Sequence, residues 1–215
     1  SASILTVEKG REAETFLTLE KSKIDYFHID VMDGMFVPNI SFGMPVLASI
    51  KGATTQTLDV HLMVTEPIRY VEEFVKAGAD IVTVHYEACE DLQATIDKIH
   101  AAGAKVGISI KPKTPVDVLL PYLDQAEMFL IMSVEPGFGG QAFIPESLER
   151  ISELRNLLNE KGLTTDIEVD GGIYHKNVAE VLAAGANVMV SGSGVFKGDI
   201  KDNTAKFMEI LNGNV

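Results

Sequence analysis

The feature that most constrains the fold of this 215-residue chain is a regular alternation of short β-rich segments with longer amphipathic ones. Eight apolar, β-rich segments recur along the sequence: ASIL, YFHIDVM, LDVHLMV, DIVTVHY, KVGISI, MFLIMSV, DIEVDG and VMVSGSG. Glycine, proline, asparagine or aspartate interrupts the chain between them. Such alternation is typical of parallel strands that are joined by right-handed helical crossovers.

The longer segments between the strands have the periodicity of amphipathic helices. In PESLERISELRNLLNEKG, apolar residues recur at steps of three and four and fall on one helical face: Leu148, Ile151, Leu154 and Leu158. Three helical segments end in a glycine, the residue that most easily takes the left-handed position after a helix: Gly78, Gly103 and Gly185. The segments are therefore predicted to be helices.

Eight strand–helix units predict an α/β fold, a single closed (β/α)8 TIM barrel that spans residues 1–215 as one domain. The alternative is an open, doubly wound sheet. No G-x-G-x-x-G turn follows the first predicted strand, which disfavours the dinucleotide-binding form of that alternative. No linker, low-complexity segment or long charge run divides the chain.

Composition narrows the range of partners. The formal net charge is -13, and basic residues occur in no cluster longer than a pair, so nucleic acid and anionic membrane surfaces are not expected partners. No apolar run approaches the roughly 18 residues of a membrane span. The start SASILTVEKG does not have the pattern of a signal peptide. With Cys89 as the only cysteine, no intrachain disulfide is possible, and we expect a cytoplasmic protein.

Ionisable side chains alternate with apolar ones on three predicted strands, which puts them on the inward face of the barrel. These inward residues are His28, Asp30 and Met32 on the second strand, Asp59, His61 and Met63 on the third, and Glu168 and Asp170 on the seventh. Active sites of TIM barrels lie at the C-terminal ends of the strands. The ionisable groups nearest these ends are therefore candidate catalytic residues.

Two interpretations of this pattern remain open from the residues alone. Neutral imidazole and carboxylate groups that meet at a barrel mouth suit a divalent ion such as zinc, iron, manganese or cobalt. A lone inward histidine, however, is more often a hydrogen-bonded core residue. His85 could also line the pocket, whereas His100 and His175 are expected to be solvated.

Glycine-rich segments lie at or directly after the C-terminal ends of the last three predicted strands. They are VEPGFGG at 134–140, DGG at 170–172 and SGSG at 191–194. Glycine lets backbone N–H groups approach a phosphate closely, and the loops after strands seven and eight are the usual phosphate site of such barrels. Each segment alone could be a simple turn, but the three together favour a sugar-phosphate site.

At the level of whole motifs, the chain resembles the ribulose-phosphate 3-epimerase family. The resemblance is carried by HIDVMDGMFVPNISFG, DVHLMV, MSVEPGFGGQAFIP, IEVDGG and VSGSGVF, which stand in the family's order along nearly the whole chain. It implies epimerisation at carbon 3 of a ketose phosphate, most simply D-ribulose 5-phosphate to D-xylulose 5-phosphate. It also implies one divalent metal ion and a homo-oligomer.

The resemblance assigns roles to particular positions of this sequence. The implied metal ligands are His28, Asp30, His61 and Asp170. The implied substrate-binding residues are Ser3, His61, Gly137, Phe138, Gly139, Gly140, Gly171, Gly172, Gly192 and Ser193, with Met32, Met63 and Met132 lining the pocket. Epimerisation next to a ketone requires an acid–base group on each side of the carbon. Asp30 and Asp170 are the expected pair, acting through an enediolate that the metal stabilises.

Two departures leave the substrate open between a pentulose and a hexulose phosphate. Met35 occupies a position that is often histidine in the family, and Ala2 one that is often proline. The main alternative is therefore allulose-6-phosphate 3-epimerase. A decarboxylase or aldol-type lyase is disfavoured, because Val31 and Met32 follow Asp30 in place of a D-x-K-x-x-D signature. A non-catalytic binding barrel is disfavoured by the intact set of implied ligands.

Overall fold

The computed structural model describes residues 1–4, 15, 18, 19, 21, 22 and 24–213, and it contains an eight-stranded parallel sheet in sequential order. The strands are β1 (Ala2–Ser3), β2 (Tyr26–Met32), β3 (Thr57–Met63), β4 (Ile81–His85), β5 (Lys105–Ile110), β6 (Met128–Met132), β7 (Asp166–Asp170) and β8 (Val188–Val190). Each strand pairs with the next in parallel register.

The first and last strands meet and close the sheet. Ala2 forms a parallel bridge with Ser191, directly after β8. The Ser3 N–H donates to the Ser191 carbonyl at 3.2 Å, and the Ser191 N–H donates to the Ser1 carbonyl at 3.3 Å. The predicted (β/α)8 TIM barrel is therefore confirmed, and the open-sheet alternative is wrong.

Helices connect the strands on the outside of the barrel. The α-helices are α1 (Met44–Ala53), α2 (Val71–Lys76), α3 (Leu92–Ala102), α4 (Ser147–Glu160), α5 (Val178–Ala183), α6 (Ser193–Phe196) and α7 (Ile200–Asn212). Short 3-10 helices occupy Pro67–Arg69, Tyr86–Ala88 and Val116–Tyr122. The helix expected between β1 and β2, together with Leu5 of the predicted first strand, falls largely outside the described residues. No helix of the described part is long and apolar enough to cross a membrane.

Two predicted elements differ from the structure. The β5–β6 connection is a 3-10 helix rather than an α-helix, and Pro121 lies inside it, where it cannot donate the backbone hydrogen bond that an α-helix requires. The predicted eighth strand, 188–194, ends at Val190 because Gly192 leaves the extended conformation, with φ -96° and ψ -84°, and caps α6. By contrast, Gly78, Gly103 and Gly185 adopt the left-handed conformation expected after helices.

Apolar side chains stabilise the barrel both outside and inside the ring of strands. Outward-facing strand residues such as Ile29, Val60 and Val169 belong to one large apolar cluster with buried helical residues such as Ile151 and Leu154. Inside the barrel, Ile81, Met128 and Val188 form a small apolar cluster at the N-terminal ends of the strands. The ionisable residues lie beyond that apolar layer, towards the C-terminal ends where barrel active sites form.

A glycine on β5 leaves room inside the barrel for a polar side chain of the neighbouring strand β4. Gly107 on β5 is the register partner of Thr83 on β4. A Cβ at position 107 would lie 2.9 Å from the Cβ of Thr83, which is too close for two carbon atoms. The absence of a side chain at Gly107 therefore leaves Thr83 the space that it occupies inside the barrel.

Candidate active site

Four of the predicted site residues converge at the C-terminal side of the barrel interior. His28 and Asp30 come from β2, His61 from β3 and Asp170 from β7, and their nearest ligand atoms all lie within 4.8 Å of one another. Register pairing of Asp30 with His61 places these two on neighbouring strands at the same height. These four residues form a candidate metal site, which we call the metal cluster, because their atoms are of the type and number that a divalent ion binds.

The ring of His28 is held from one side and has a free nitrogen on the other. Its Nδ1 lies 2.6 Å from Oδ2 of Asp59, and Thr83 donates a hydrogen bond of 3.0 Å to the other oxygen of Asp59. Its Nε2 lies 3.3 Å from Oδ1 of Asp30 and has no hydrogen-bond partner among the described residues, although it is buried. Asp59 therefore orients the ring so that Nε2 faces the metal cluster, as carboxylates do for metal-bound histidines.

His61 is fully buried and, unlike His28, has a partner at both ring nitrogens. Its Nδ1 lies 2.9 Å from Oδ1 of Asp30, and its Nε2 lies 2.8 Å from Nε2 of His85. Nδ1 of His85 lies 3.2 Å from Oε2 of Glu87, in the 3-10 helix that follows β4. His85 therefore does not line the pocket, but supports His61 from behind.

Burial and mutual charge shift the protonation of the cluster. Burial alone would raise the pKa of Asp30, but the charge and hydrogen bonds of His28 and His61 outweigh it and lower that pKa. Burial, reinforced by the charge of Asp30, raises the pKa of Asp170 to about 6. Burial would lower the pKa of His28, yet the surrounding carboxylates, Glu168 first, raise it well above 6.5.

The shifted pKa of His28 indicates that this part of the barrel favours a positive charge. Glu168, fully buried beside His28, has two carboxylate oxygens with no hydrogen-bond partner among the described residues. Its pKa is raised to about 8 by burial and by the neighbouring charge of Asp59. Two imidazoles and two carboxylates, one imidazole nitrogen being unpartnered, fit a divalent cation of the zinc, iron, manganese or cobalt type.

A pocket opens to solvent directly above the metal cluster. Most predicted site residues line it: Ser3, Asp30, Met32, Met63, Met132, Gly137, Phe138, Gly139, Gly140, Asp170, Gly171, Gly172, Gly192 and Ser193. His28 and His61 are not among the lining residues, because both are fully buried beneath them. The hydroxyl of Ser3 donates a 3.1 Å hydrogen bond to Oδ2 of Asp30 and so links β1 to the pocket floor.

The glycine-rich loops at the pocket rim pack against each other with little space. Gly171 and Gly172 have φ angles of +120° and +66°, in the region that favours glycine. A Cβ at Gly172 would lie 2.8 Å from Cα of Phe143, in the loop after β6. The lack of side chains thus lets the loops after β6 and β7 approach each other beside the pocket.

The loop between β2 and α1 is anchored at the same rim. The carboxylate of Asp33 accepts backbone N–H groups of Met35 at 2.8 Å, Phe36 at 2.9 Å and Thr65 at 2.8 Å. The Asn39 amide donates a 2.9 Å hydrogen bond to the carbonyl of Gly137 in the loop after β6. The backbone around Met35 is therefore tied to both adjoining loops.

Several pocket and supporting residues were not identified from the sequence. The additional lining residues are Val134, Pro136, Gln141, Ile173, Tyr174, Val190 and Gly194. Val134, Pro136 and Gly194 lie within the glycine motifs and the other four adjoin them, and that position is the signal that could have found them. Thr83 and Glu87 carry no motif, and only the three-dimensional contacts with Asp59 and His85 reveal them. His175, expected to be solvated, is instead partly buried against Phe207, with a ring centroid distance of 4.2 Å.

Comparison with proteins of known structure supports the fold. The chain superposes on the 3-hexulose-6-phosphate synthase structure with a TM-score of 0.72 and 16% identity, covering 98% of each chain. It superposes on orotidine 5'-phosphate decarboxylase from Pyrococcus horikoshii with a TM-score of 0.71 and 13% identity, covering 99% of each chain. At these identities the likeness shows a shared barrel fold alone.

Sequence comparison is more specific. The ribulose-phosphate 3-epimerase of Synechocystis is 48% identical over 98% of this chain and 90% of its own length. The ribulose-phosphate 3-epimerase of Bacillus subtilis is 45% identical over 90% of each protein. The family model described as "Ribulose-phosphate 3 epimerase family" matches residues 1–196. With the family's motifs assembled around one pocket, the chain belongs to the ribulose-phosphate 3-epimerase family of enzymes.

Proposed function

We propose that the chain interconverts D-ribulose 5-phosphate and D-xylulose 5-phosphate by moving a proton at carbon 3, with one divalent metal ion bound at the metal cluster. The observation that carries the proposal is the convergence of His28, Asp30, His61 and Asp170 within 4.8 Å beneath a glycine-rimmed pocket. The names of the curated relatives supply the substrate class.

Asp30 and Asp170 are the proposed acid–base pair. They come from β2 and β7, which β1 and β8 separate around the barrel, and both reach the pocket surface. A sugar held between them could lose its carbon 3 proton to one carboxylate and regain a proton from the other on the opposite face. Without a bound cation, burial and the charge of Asp30 raise the pKa of Asp170 to about 6, whereas the charge and hydrogen bonds of His28 and His61 outweigh burial and lower the pKa of Asp30, so the two carboxylates differ in proton affinity.

The metal-ligating role is proposed for His28 Nε2, His61 Nδ1 and the carboxylates of Asp30 and Asp170. A cation bound there would supply positive charge that stabilises the negative charge developing on substrate oxygens. The chain's own residues hold that position: Asp59 orients His28, His85 supports His61, and Ser3 donates to Asp30. Met32, Met63 and Met132 add apolar pocket surface that carries no exchangeable proton.

The phosphate-binding role is proposed for the loops that contain Gly139–Gly140, Gly171–Gly172 and Gly192–Ser193. Their glycines line the pocket, so backbone N–H groups there can come close to a phosphate without obstruction by side chains. Ser193 is also the first residue of α6. These loops support a substrate whose phosphate lies at the rim and whose sugar extends towards Asp30 and Asp170.

The decisive experiment is an epimerase assay on purified protein after its metal content has been measured. Ribulose 5-phosphate and allulose 6-phosphate are compared side by side, with and without added zinc, manganese, iron or cobalt. We expect metal-dependent turnover with a higher kcat/KM for ribulose 5-phosphate. A higher value for allulose 6-phosphate would make the hexulose alternative correct, and full activity in rigorously metal-free protein would contradict the metal-dependent mechanism. Light scattering on the same preparation tests the expected homo-oligomer.

A further inference from the structure

We propose that Glu87 is a positioning residue that sets the tautomer of His61 through His85. The inference rests on the proposed function in one respect, since it takes Nδ1 of His61 as an atom that binds the metal. Glu87 itself lies outside the metal cluster and outside the pocket lining. Any effect of Glu87 on the metal cluster would therefore pass through the imidazole of His85.

The three side chains form one continuous row of contacts. Oε2 of Glu87 lies 3.2 Å from Nδ1 of His85, Nε2 of His85 lies 2.8 Å from Nε2 of His61, and Nδ1 of His61 lies 2.9 Å from Oδ1 of Asp30. His85 is fully buried, and its ring lies beside that of Phe36, with a centroid distance of 4.9 Å. This packing, together with the hydrogen bonds at its two nitrogens, holds the ring of His85 in the row.

A hydrogen bond between two imidazole nitrogens requires that only one of them carries the proton. The contact between His61 and His85 therefore allows two arrangements. In the first, His61 Nε2–H donates and His85 Nε2 accepts. In the second, His85 Nε2–H donates and His61 Nε2 accepts. A neutral imidazole has one N–H. The arrangement at this contact therefore also decides whether Nδ1 of His85, the nitrogen that faces Glu87, carries a proton.

Glu87 favours the first arrangement because its carboxylate can only accept. Its other oxygen, Oε1, already accepts the backbone N–H of Lys111 at 2.7 Å and the hydroxyl of Thr114. Burial would raise the pKa of Glu87, but the hydrogen bonds with His85, Thr114 and the backbone N–H of Lys111 outweigh it and lower that pKa to about 2, so the group is ionised at neutral pH. An ionised carboxylate facing a bare Nδ1 would place two acceptors in contact, which favours a proton on Nδ1 of His85 and leaves its Nε2 as the acceptor.

Asp30, at the other end of the row, favours the opposite arrangement in the same way. However, the carboxylate of Asp30 also accepts the Ser3 hydroxyl at 3.1 Å and lies 3.3 Å from Nε2 of His28. Oε2 of Glu87, by contrast, faces only His85 among the described residues. Glu87 therefore decides where the proton lies.

The consequence appears at the far end of the row. With Nε2 of His61 fixed as a donor, a neutral His61 presents the lone pair of Nδ1 to Asp30. Two acceptor atoms 2.9 Å apart need a proton or a cation between them, and a metal ion satisfies both. In the second arrangement Nδ1 of His61 would carry its own proton towards Asp30, and that proton would have to be lost before a metal could bind.

The substitution Glu87→Gln is expected to reverse the direction of the hydrogen bonds along the row, with almost no change in the shape of the side chain. The N–H of Lys111 still requires an acceptor, so the amide oxygen takes the place of Oε1 and the amide NH2 group faces His85. Nδ1 of His85 must then accept, its Nε2 must donate, and His61 takes the tautomer that hinders metal binding. A purely structural role for Glu87 would not produce this change.

Glu127→Gln is the matched control. Glu127 also accepts a backbone N–H, that of Val106 at 2.7 Å, and its carboxylate lies 3.3 Å from Nε2 of a histidine, His100. His100 is solvent-exposed on α3 and belongs to neither the metal cluster nor the pocket. The control thus removes the same charge from the same kind of contact without touching the row.

Two measurements test the inference separately from the proposed function. Nitrogen-15 spectra of the imidazoles in metal-free protein report the tautomers, and the chain has only five histidines to assign. We expect an Nδ1–H on His85 in the unmodified protein and in Glu127→Gln, and an Nε2–H on His85 in Glu87→Gln. Zinc titration against a competing chelator is expected to give a dissociation constant about 10- to 100-fold higher for Glu87→Gln alone.

Each outcome is decisive. An Nε2–H on His85 of the unmodified protein would overturn the inference, and this spectrum does not depend on the folding of any variant. A reversed tautomer in Glu87→Gln with unchanged zinc affinity would also overturn it, since His61 would then be insensitive to Glu87. A protein that binds no zinc, manganese, iron or cobalt would refute the proposed function, while the spectra would still show whether Glu87 sets the tautomers.

Discussion

Substitution Gly172→Ala is expected to damage both stability and substrate binding, whereas Gly140→Ala is expected to be mild. Both glycines line the pocket and have similar left-handed φ angles, +66° and +76°. An alanine at either position therefore bears a similar conformational cost, about 1–2 kcal/mol. Only at Gly172 does the added Cβ meet other atoms, including Cα of Phe143 at 2.8 Å, while nothing lies within 4 Å of it at Gly140.

The contact at Gly172 adds an overpacking cost of roughly 1–3 kcal/mol, because the neighbouring atoms are backbone and cannot rotate away. Urea unfolding should therefore show Gly172→Ala to be less stable than Gly140→Ala by that amount. The loop after β6 would have to move away from the pocket, so KM for the sugar phosphate should rise more in Gly172→Ala. Equal losses of stability and equal KM values in the two variants would refute the reasoning from packing.

Three further predictions concern the metal cluster and the loops. His61→Ala should lower bound metal and activity together, and elemental analysis that finds full occupancy would show that His61 is not a ligand. Asp170→Asn should lower kcat by about 10²- to 10⁴-fold while leaving Asp30 to exchange the carbon 3 proton of one epimer in heavy water; equal exchange from both epimers would indicate a single mobile base. Asp33→Asn should cost about 1 kcal/mol at neutral pH, because an amide accepts fewer of the three N–H groups at Asp33. Backbone hydrogen bonds outweigh burial and lower the pKa of Asp33, so its contribution is present above the unfolded pKa and disappears as pH falls through the folded value; a difference that persists in acid-folded protein would contradict this account.

The barrel and the composition of the pocket could be predicted because both follow from local patterns. Period-two alternation on β2 and β3 identifies His28, Asp30 and His61 as inward-facing, and the parallel register then places them together. The glycine motifs after β6, β7 and β8 likewise reach the pocket that their position in the sequence predicts. Within each motif, the spacing of residues along the chain is sufficient to predict which of them face the barrel interior or the pocket.

Contacts between residues that lie far apart in the sequence could not be predicted in this way. Glu87 lies in a 3-10 helix after β4, and its place behind His85 depends on Lys111 and Thr114, more than twenty residues further along the chain. The strand β8 also ends earlier than the sequence predicts, because apolar and small residues continue past Val190 while the backbone turns at Gly192. Such features depend on tertiary packing, which overrides local preference.

The close approach of Gly107 to Thr83 has an evolutionary consequence. A residue larger than glycine at position 107 would push Thr83 aside, and the hydroxyl of Thr83 is the donor that holds Asp59 against His28. Positions 83 and 107 should therefore covary among homologues, a bulkier residue at one being accompanied by a smaller residue at the other. Substitutions on β5 would then alter the orientation of His28, a proposed metal ligand, without replacing it.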